Sequence, residues 1–99
     1  MGKELYKFHS EVCKVFSNPT RLEILDLLRG KGMSVSELMG KTGLSQANVS
    51  QHLSIMKSKG IVVYKRRGKN VYYGLHNPKV VRAFDIMREA LIENLRKRL

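Results

Sequence analysis

Gln46, Asn48, Ser50 and Gln51 lie in one short stretch that Ser45 opens and Gly60 closes. Their amides and hydroxyls are small polar groups that hydrogen-bond in both directions, the chemistry that reads base edges in a major groove. Further along, Lys65, Arg66, Arg67 and Lys69 crowd around Gly68. Cations of this kind neutralise phosphates without distinguishing bases. Polar groups that choose a sequence, beside cations that hold its backbone, make a duplex nucleic acid the expected partner.

The composition agrees with that partner. The 99-residue chain carries 19 Lys and Arg against 8 Asp and Glu, a formal net charge of +11, which steers it toward a polyanion. A membrane surface also attracts such charge. No run approaches the roughly eighteen apolar residues of a spanning helix, however, and the N-terminus lacks the apolar core of a signal peptide, so a soluble, cytoplasmic protein is expected. A hydrophobic fraction of 42% suffices for one small core that oligomerisation would strengthen. The single Cys13 excludes a disulfide framework or a cysteine-only metal site within one chain. There is no nucleophile with a paired base, no phosphate-cradling glycine loop and no carboxylate pair spaced for acid-base work, so no enzyme is expected.

Periodicity supplies the elements that would present these groups. Leu5, Phe8, Val12, Val15 and Phe16 recur at three- and four-residue steps and predict a helix over about 4–16. Asn18-Pro19 starts a second helix, broadly apolar through Leu22, Ile24, Leu25, Leu27 and Leu28 until Gly30. After a glycine-rich break and an extended stretch at Met33, Ser34 and Glu37 have capping-box spacing for a third helix that runs to about Lys41. Gly43 suits a left-handed C-cap and Ser45 the N-cap of a fourth helix over 46–59. Along it Val49, Leu53 and Met56 face a core, which leaves Gln46, Asn48, Gln51 and Ser54 outside. Ile61 to Tyr64 and Val71 to Tyr73 read as two strands of a hairpin. Tyr72 and Tyr73 alternate across the second strand, so one is expected in the core and the other exposed. Asn77-Pro78 opens a last helix over 78–98, striped by Val80, Phe84, Met87, Leu91 and Leu95. No internal repeat, low-complexity tract or linker interrupts this order.

The order predicts a single, mainly α domain over 1–99: a winged helix-turn-helix of about five helices with a two- or three-stranded wing. Its first and last helices carry more apolar surface than such a core covers. Either they pack on each other within the chain, or they meet a second copy across a two-fold axis, the commonest assembly. The dimer is the expectation, with Leu5, Phe8, Val12, Phe84, Met87, Leu91 and Leu95 at the interface. Two recognition helices related in this way read an inverted repeat whose half-sites lie about 34–36 Å apart, or a multiple of that.

Four segments together resemble the arsenic-repressor-like (ArsR) family of transcription regulators: Phe16-Ser17-Asn18-Pro19-Thr20-Arg21-Leu22-Glu23-Ile24-Leu25, Leu44-Ser45-Gln46-Ala47-Asn48-Val49-Ser50-Gln51-His52-Leu53, Gly60-Ile61-Val62, and Arg66-Arg67-Gly68-Lys69-Asn70-Val71-Tyr72-Tyr73. The likeness covers nearly the whole chain, and it is the order and spacing of the motifs that make it specific. It implies a homodimeric winged-helix repressor released from DNA by an effector, often a metal ion. It also implies that Gln46, Ala47, Asn48, Ser50 and Gln51 meet bases while Arg67 and Lys69 reach the adjoining backbone or minor groove. Ser45, Ser54 and Lys65 complete the expected DNA-facing set. The chain departs from the family at the sensor. Ser34-Val35-Ser36-Glu37-Leu38-Met39 has no Cys-x-Cys pair, and residues 78–99 contain no histidine.

Several polar residues have ordinary structural uses. His52 flanks the inward Leu53 and is expected to pack and hydrogen-bond at the helix margin. His9, Cys13 and His76 are metal-ligand types, with His9 and Cys13 four apart on the first helix, but two ligands make no zinc site. Cys13 is therefore expected to pack, and no metal or cofactor is assigned; meeting of two Cys13 residues across a helix-one interface is the remaining route to a shared thiol site. Asp85, Glu89 and Glu93 recur beside Arg82, Arg88, Arg96 and Arg98 as a solvated helix face with local ion pairs. The expected function is sequence-specific transcription regulation, with helix 46–59 in the major groove and the 65–70 wing beside it. The alternative is a winged helix for protein assembly or RNA without operator specificity. The first would show apolar groups on helix four and the second exposed stacking aromatics, for which only the wing tyrosines qualify.

Overall fold

The computed structural model describes residues 2–98. Five helices and one hairpin follow in the order α1 (Lys3–Val15), α2 (Pro19–Leu27), α3 (Val35–Thr42), α4 (Gln46–Ser58), β1 (Val62–Arg67), β2 (Asn70–Leu75) and α5 (Pro78–Arg98). This is a winged helix-turn-helix.

Local signals set the element ends. Asn18 accepts the Arg21 N–H at 3.1 Å, and Ser34 and Glu37 close a reciprocal capping box at the start of α3. Ser45 accepts the Asn48 N–H at 3.2 Å and starts α4. Gly43, at φ +75°, ends α3 in the left-handed region that glycine enters without steric cost. Gly60, at φ +72°, ends α4, where the Ile61 N–H bonds the Met56 carbonyl and the Gly60 N–H bonds that of Lys57. That pair of bonds is a Schellman motif, and its companion apolar residue Ile61 is buried. The second helix is shorter than its apolar run suggests. Leu28 leaves the helix at Leu27 to reach the core, and the chain turns through Gly30 at φ +68°.

The core gathers Val15, Phe16, Ile24, Leu25, Leu28, Leu38, Val49, Leu53, Met56, Ile61 and Val62. No polar side chain is buried with them among the described residues. The hairpin is antiparallel with Val62 opposite Leu75 and Arg67 opposite Asn70. A third strand is reduced to one bridge, in which Met33 and Tyr73 exchange both backbone hydrogen bonds at 2.8–2.9 Å. No helix among the described residues is long and apolar enough to cross a membrane.

Three expectations are corrected. Asp85 does not pair within α5: it accepts two bonds from Arg29, one at 3.0 Å, and Arg88 reaches Asp26 at 3.2 Å, so α5 is tied to the end of α2. Arg29 in turn holds the Asp85 carboxyl below the ordinary carboxylate range. Cys13 is exposed rather than packed, because it lies off the inward face of α1. Tyr72 and Tyr73 are both half-buried, since the α2–α3 turn covers the face of the hairpin that the core leaves open. Phe84 belongs partly to the fold, with its ring 4.3 Å from that of Phe16. Leu38 is fully excluded from solvent. Leu38→Ala is expected to lower the unfolding free energy by about 2–5 kcal/mol in a denaturant melt.

Candidate nucleic-acid interface

The recognition surface starts from the buried side of α4. Val49, Leu53 and Met56 are 0–1% exposed, so the helix cannot rotate without pulling apolar groups into water. Gln46, Ala47, Asn48, Gln51 and Ser54 are consequently exposed together, and Ser50 is half-buried at their edge. Ser45 is exposed at the N-terminus of α4, with its oxygen already used in the cap. The arrangement offers amide and hydroxyl groups along one exposed side of the helix, beginning in its first turn.

The wing divides its charge between two faces. Cross-strand pairing places Val63, Lys65, Arg67, Tyr72 and Gly74 on the outer face, and Val62, Tyr64, Arg66, Val71, Tyr73 and Leu75 on the other. Val62, Tyr73 and Leu75 join the core, which turns Lys65 and Arg67 outward. Gly68, at φ +60°, makes the tight turn that carries Lys69 to the tip. On the outer face a groove of about 600 Å³ opens between the wing and the α2–α3 turn, lined by Lys31, Lys65, Arg67 and Tyr72 among others. Gly32 lets the two approach: a Cβ there would lie 3.3 Å from the Tyr73 carbonyl oxygen. Lys31 is thus a cation of this surface that sequence reading missed, and its only local mark is the Gly30-Lys31-Gly32 break.

Lys57 was missed too. Its ammonium sits 4.2 Å from the centre of the Tyr64 ring, and Tyr64 leans on Tyr73 at 5.9 Å. This cation–π contact joins the last turn of α4 to the inner face of the wing. The opposite flank of α4 holds His52, whose Nδ1 accepts from Arg21 Nε at 3.2 Å. The expected role of His52 at the helix margin is therefore what the fold uses. Desolvation, then the charge of Arg21, lowers the His52 pKa. Of the remaining ligand types, His9, Cys13 and His76 are exposed and share no cluster of three or more metal-ligating side chains among the described residues.

Fold and surface define a helix-turn-helix protein with a basic wing, the architecture of DNA-binding transcription regulators. Residues 18–64 match the model of the bacterial regulatory protein arsR family. Over 99 residues the chain is 32% identical to the HTH-type transcriptional regulator Rv0081 of Mycobacterium tuberculosis, covering 99% of this chain and 87% of that protein. It is 36% identical over 67 residues to the transcriptional repressor SdpR of Bacillus subtilis, covering 68% and 74%. The crystal structure of Rv0081 superposes with a TM-score of 0.88 at 32% identity over 98% of both chains. The homodimeric winged helix-turn-helix DNA-binding domain of Mb0332 from Mycobacterium bovis superposes at 0.85 with 32% identity, over 93% of this chain and 85% of that one. The chain belongs to the arsR family of transcription regulators.

His52 gives the interface a testable electrostatic signature. Its depressed folded pKa means that the stability contributed by the neutral ring is complete above the unfolded value, about 6.5, and is lost as pH falls from there through the folded value. NMR titration of the His52 ring is expected to give a pKa below that of free imidazole, and His52→Gln to remove this component of acid destabilisation.

Proposed function

We propose that the chain is a homodimeric transcriptional repressor that reads an inverted repeat in double-stranded DNA. In this reading α4 enters the major groove and the 65–70 wing follows the adjoining backbone or minor groove. The reading rests on one observation above the rest: Gln46, Ala47, Asn48, Gln51 and Ser54 of α4 are exposed together while Val49, Leu53 and Met56 of the same helix are fully buried. Gln46, Ala47, Asn48, Ser50, Gln51 and Ser54 would meet the bases, and Ser45, Lys65, Arg67 and Lys69 the phosphates. A net charge of +11 supports fast, salt-dependent capture of DNA in the cytoplasm. SdpR and a second relative, PagR of Bacillus anthracis, are both named transcriptional repressors, which favours repression.

The dimer is supported by open apolar surface on the two terminal helices. Leu5 and Phe8 on α1, and Met87, Leu91 and Leu95 on α5, are 39–58% exposed. The two stripes do not cover each other within the chain. Val12 and Phe84 lie half-buried beneath them and would form the inner edge of the interface. A stripe of this length is more than an isolated monomer ordinarily leaves open, and the Mb0332 domain is described as homodimeric.

Selection of bound sequences from random duplex DNA tests the operator reading, and an inverted repeat is the expected product. On that repeat Asn48→Ala is expected to cost about 1–3 kcal/mol and far less on random DNA, whereas Lys69→Ala weakens both and lowers the salt slope by about one. Equal loss on every sequence for Asn48→Ala would remove it from base reading. In sedimentation, Leu91→Asp should give a folded monomer, because Leu91 touches water in the single chain. Phe84→Asp should instead unfold the protein, since its carboxylate would be forced against Phe16.

A further inference from the structure

Arg21 lies in the first turn of α2 and reaches two other helices. Its Nη1 donates to the Val15 carbonyl at 3.0 Å and its Nε donates to His52 Nδ1 at 3.2 Å. Val15 is the last residue of α1, so its carbonyl has no partner within that helix and sits at the negative end of the helix dipole. A guanidinium, whose donors form a rigid planar fork, suits that position and can serve a second acceptor at a fixed angle.

A second polar contact joins the same pair of helices. Lys59, the C-cap of α4, holds Glu11 of α1 at 3.4 Å. His52 and Lys59 are seven residues apart and so lie on one face of α4, about 10 Å from each other along its axis. Glu11 and Val15 are four apart and share a face of α1. Two separated ties resist pivoting, where a single one would act as a hinge. The apolar contacts of Val49, Leu53 and Met56 fix which face of α4 points inward, but hydrophobic burial is non-directional. Hydrogen bonds weaken steeply when bent, so the two ties restrict the tilt that burial leaves free.

We propose that Arg21 and Glu11, acting through His52, the Val15 carbonyl and Lys59, position the recognition helix relative to α1 and thereby set the half-site spacing that the dimer accepts. The proposal rests on the reading that α1 helps form the dimer and α4 reads the operator. A residue that contacts DNA strengthens every site it reaches. A residue that orients α4 against the dimer layer changes the preference among spacings. The Arg21 bond further needs His52 neutral, because a proton on Nδ1 replaces the acceptor with a donor that faces the guanidinium. Arg21 from α2 is the charge nearest the ring, and the Lys59–Glu11 pair lies two turns away on the same edge.

The test uses the selected inverted repeat and versions with one or two base pairs inserted between half-sites, at about pH 8 and at a pH below the folded-state titration of the His52 ring as followed by NMR. Wild-type protein at the higher pH is expected to prefer the native spacing by about tenfold or more. Arg21→Gln combined with Glu11→Gln leaves the net charge unchanged, so random-DNA affinity should stay within about twofold of wild type. Its spacing preference is expected to fall to about twofold, through loss on the native spacing. His52→Gln offers Arg21 an acceptor that does not titrate, and is expected to keep the preference at both pH values while wild type loses it at the lower one. Equal loss on all spacings, or an undiminished preference in the double variant, overturns the proposal. So does a His52→Gln protein that behaves like acidified wild type. Should the double variant fail to fold, Glu11→Gln alone removes one partly exposed pair and must still lower the preference by about twofold; no change there overturns the proposal. Absence of any inverted repeat among selected sequences overturns both readings, whereas a repeat whose spacing preference the variants leave unmoved overturns only this one.

Discussion

The burial of one face of α4 is the constraint on which the rest of the molecule depends. Val49, Leu53 and Met56 meet Ile24, Leu28 and Leu38 with essentially no exposure, each contributing on the order of 1.5–3 kcal/mol. A rotation of α4 by one residue in either direction would bring Asn48 or Ser54 toward that core. A buried amide or hydroxyl without a partner costs roughly 1–3 kcal/mol in proteins, and the apolar contacts would be lost as well. The polar surface of the helix is therefore held outward by what lies behind it. In a chain this small, hydrophobic burial is what orients the amide and hydroxyl groups of α4.

The wing is hung on the same core. Val62 is buried at the start of β1, Tyr73 and Leu75 pack from β2, and the Met33–Tyr73 bridge ties the hairpin back to the α2–α3 turn. Strand alternation then fixes the other face, so Lys65 and Arg67 point away from the core. Lys57 over Tyr64 adds a contact from the end of α4. Helix α4 and the charged hairpin are thus parts of one packed body, and the groove edged by Lys31 extends the cationic surface onto the α2–α3 turn.

Charge in this protein has two separate uses. Among the described residues, most of the Lys and Arg side chains lie outside the ion pairs and remain available at the surface to a polyanion. A smaller set is spent on joining helices: Arg29 and Arg88 tie α2 to α5 through Asp85 and Asp26, Lys59 ties α4 to α1 through Glu11, and Arg21 spans α1, α2 and α4. All four sites are partly exposed, where an isolated pair is worth about 0–1 kcal/mol. Their effect lies in orientation more than in total stability. They connect the helices that carry the uncovered apolar stripes to α2 and α4.

The sequence by itself determined the features that depend on near neighbours. Asn18, Ser34 with Glu37, and Ser45 cap the helices they were expected to cap; Gly43 and Gly60 end helices in the left-handed region; and the spacing of Val49, Leu53 and Met56 told inside from outside on α4. These are interactions within one or two turns, so residue type and spacing suffice to read them. The net charge of +11 likewise named the class of partner, since long-range electrostatics depends on sums rather than on detail. Only the tertiary structure decided that Asp85 serves Arg29 rather than its own helix, that Phe84 rests on Phe16, that Cys13 stays exposed, and that Lys31 borders the wing. Arg29 and Asp85 stand 56 residues apart. What brings them together is the angle at which α5 crosses the end of α2, which comes from the packing of the whole core and leaves no local pattern to read.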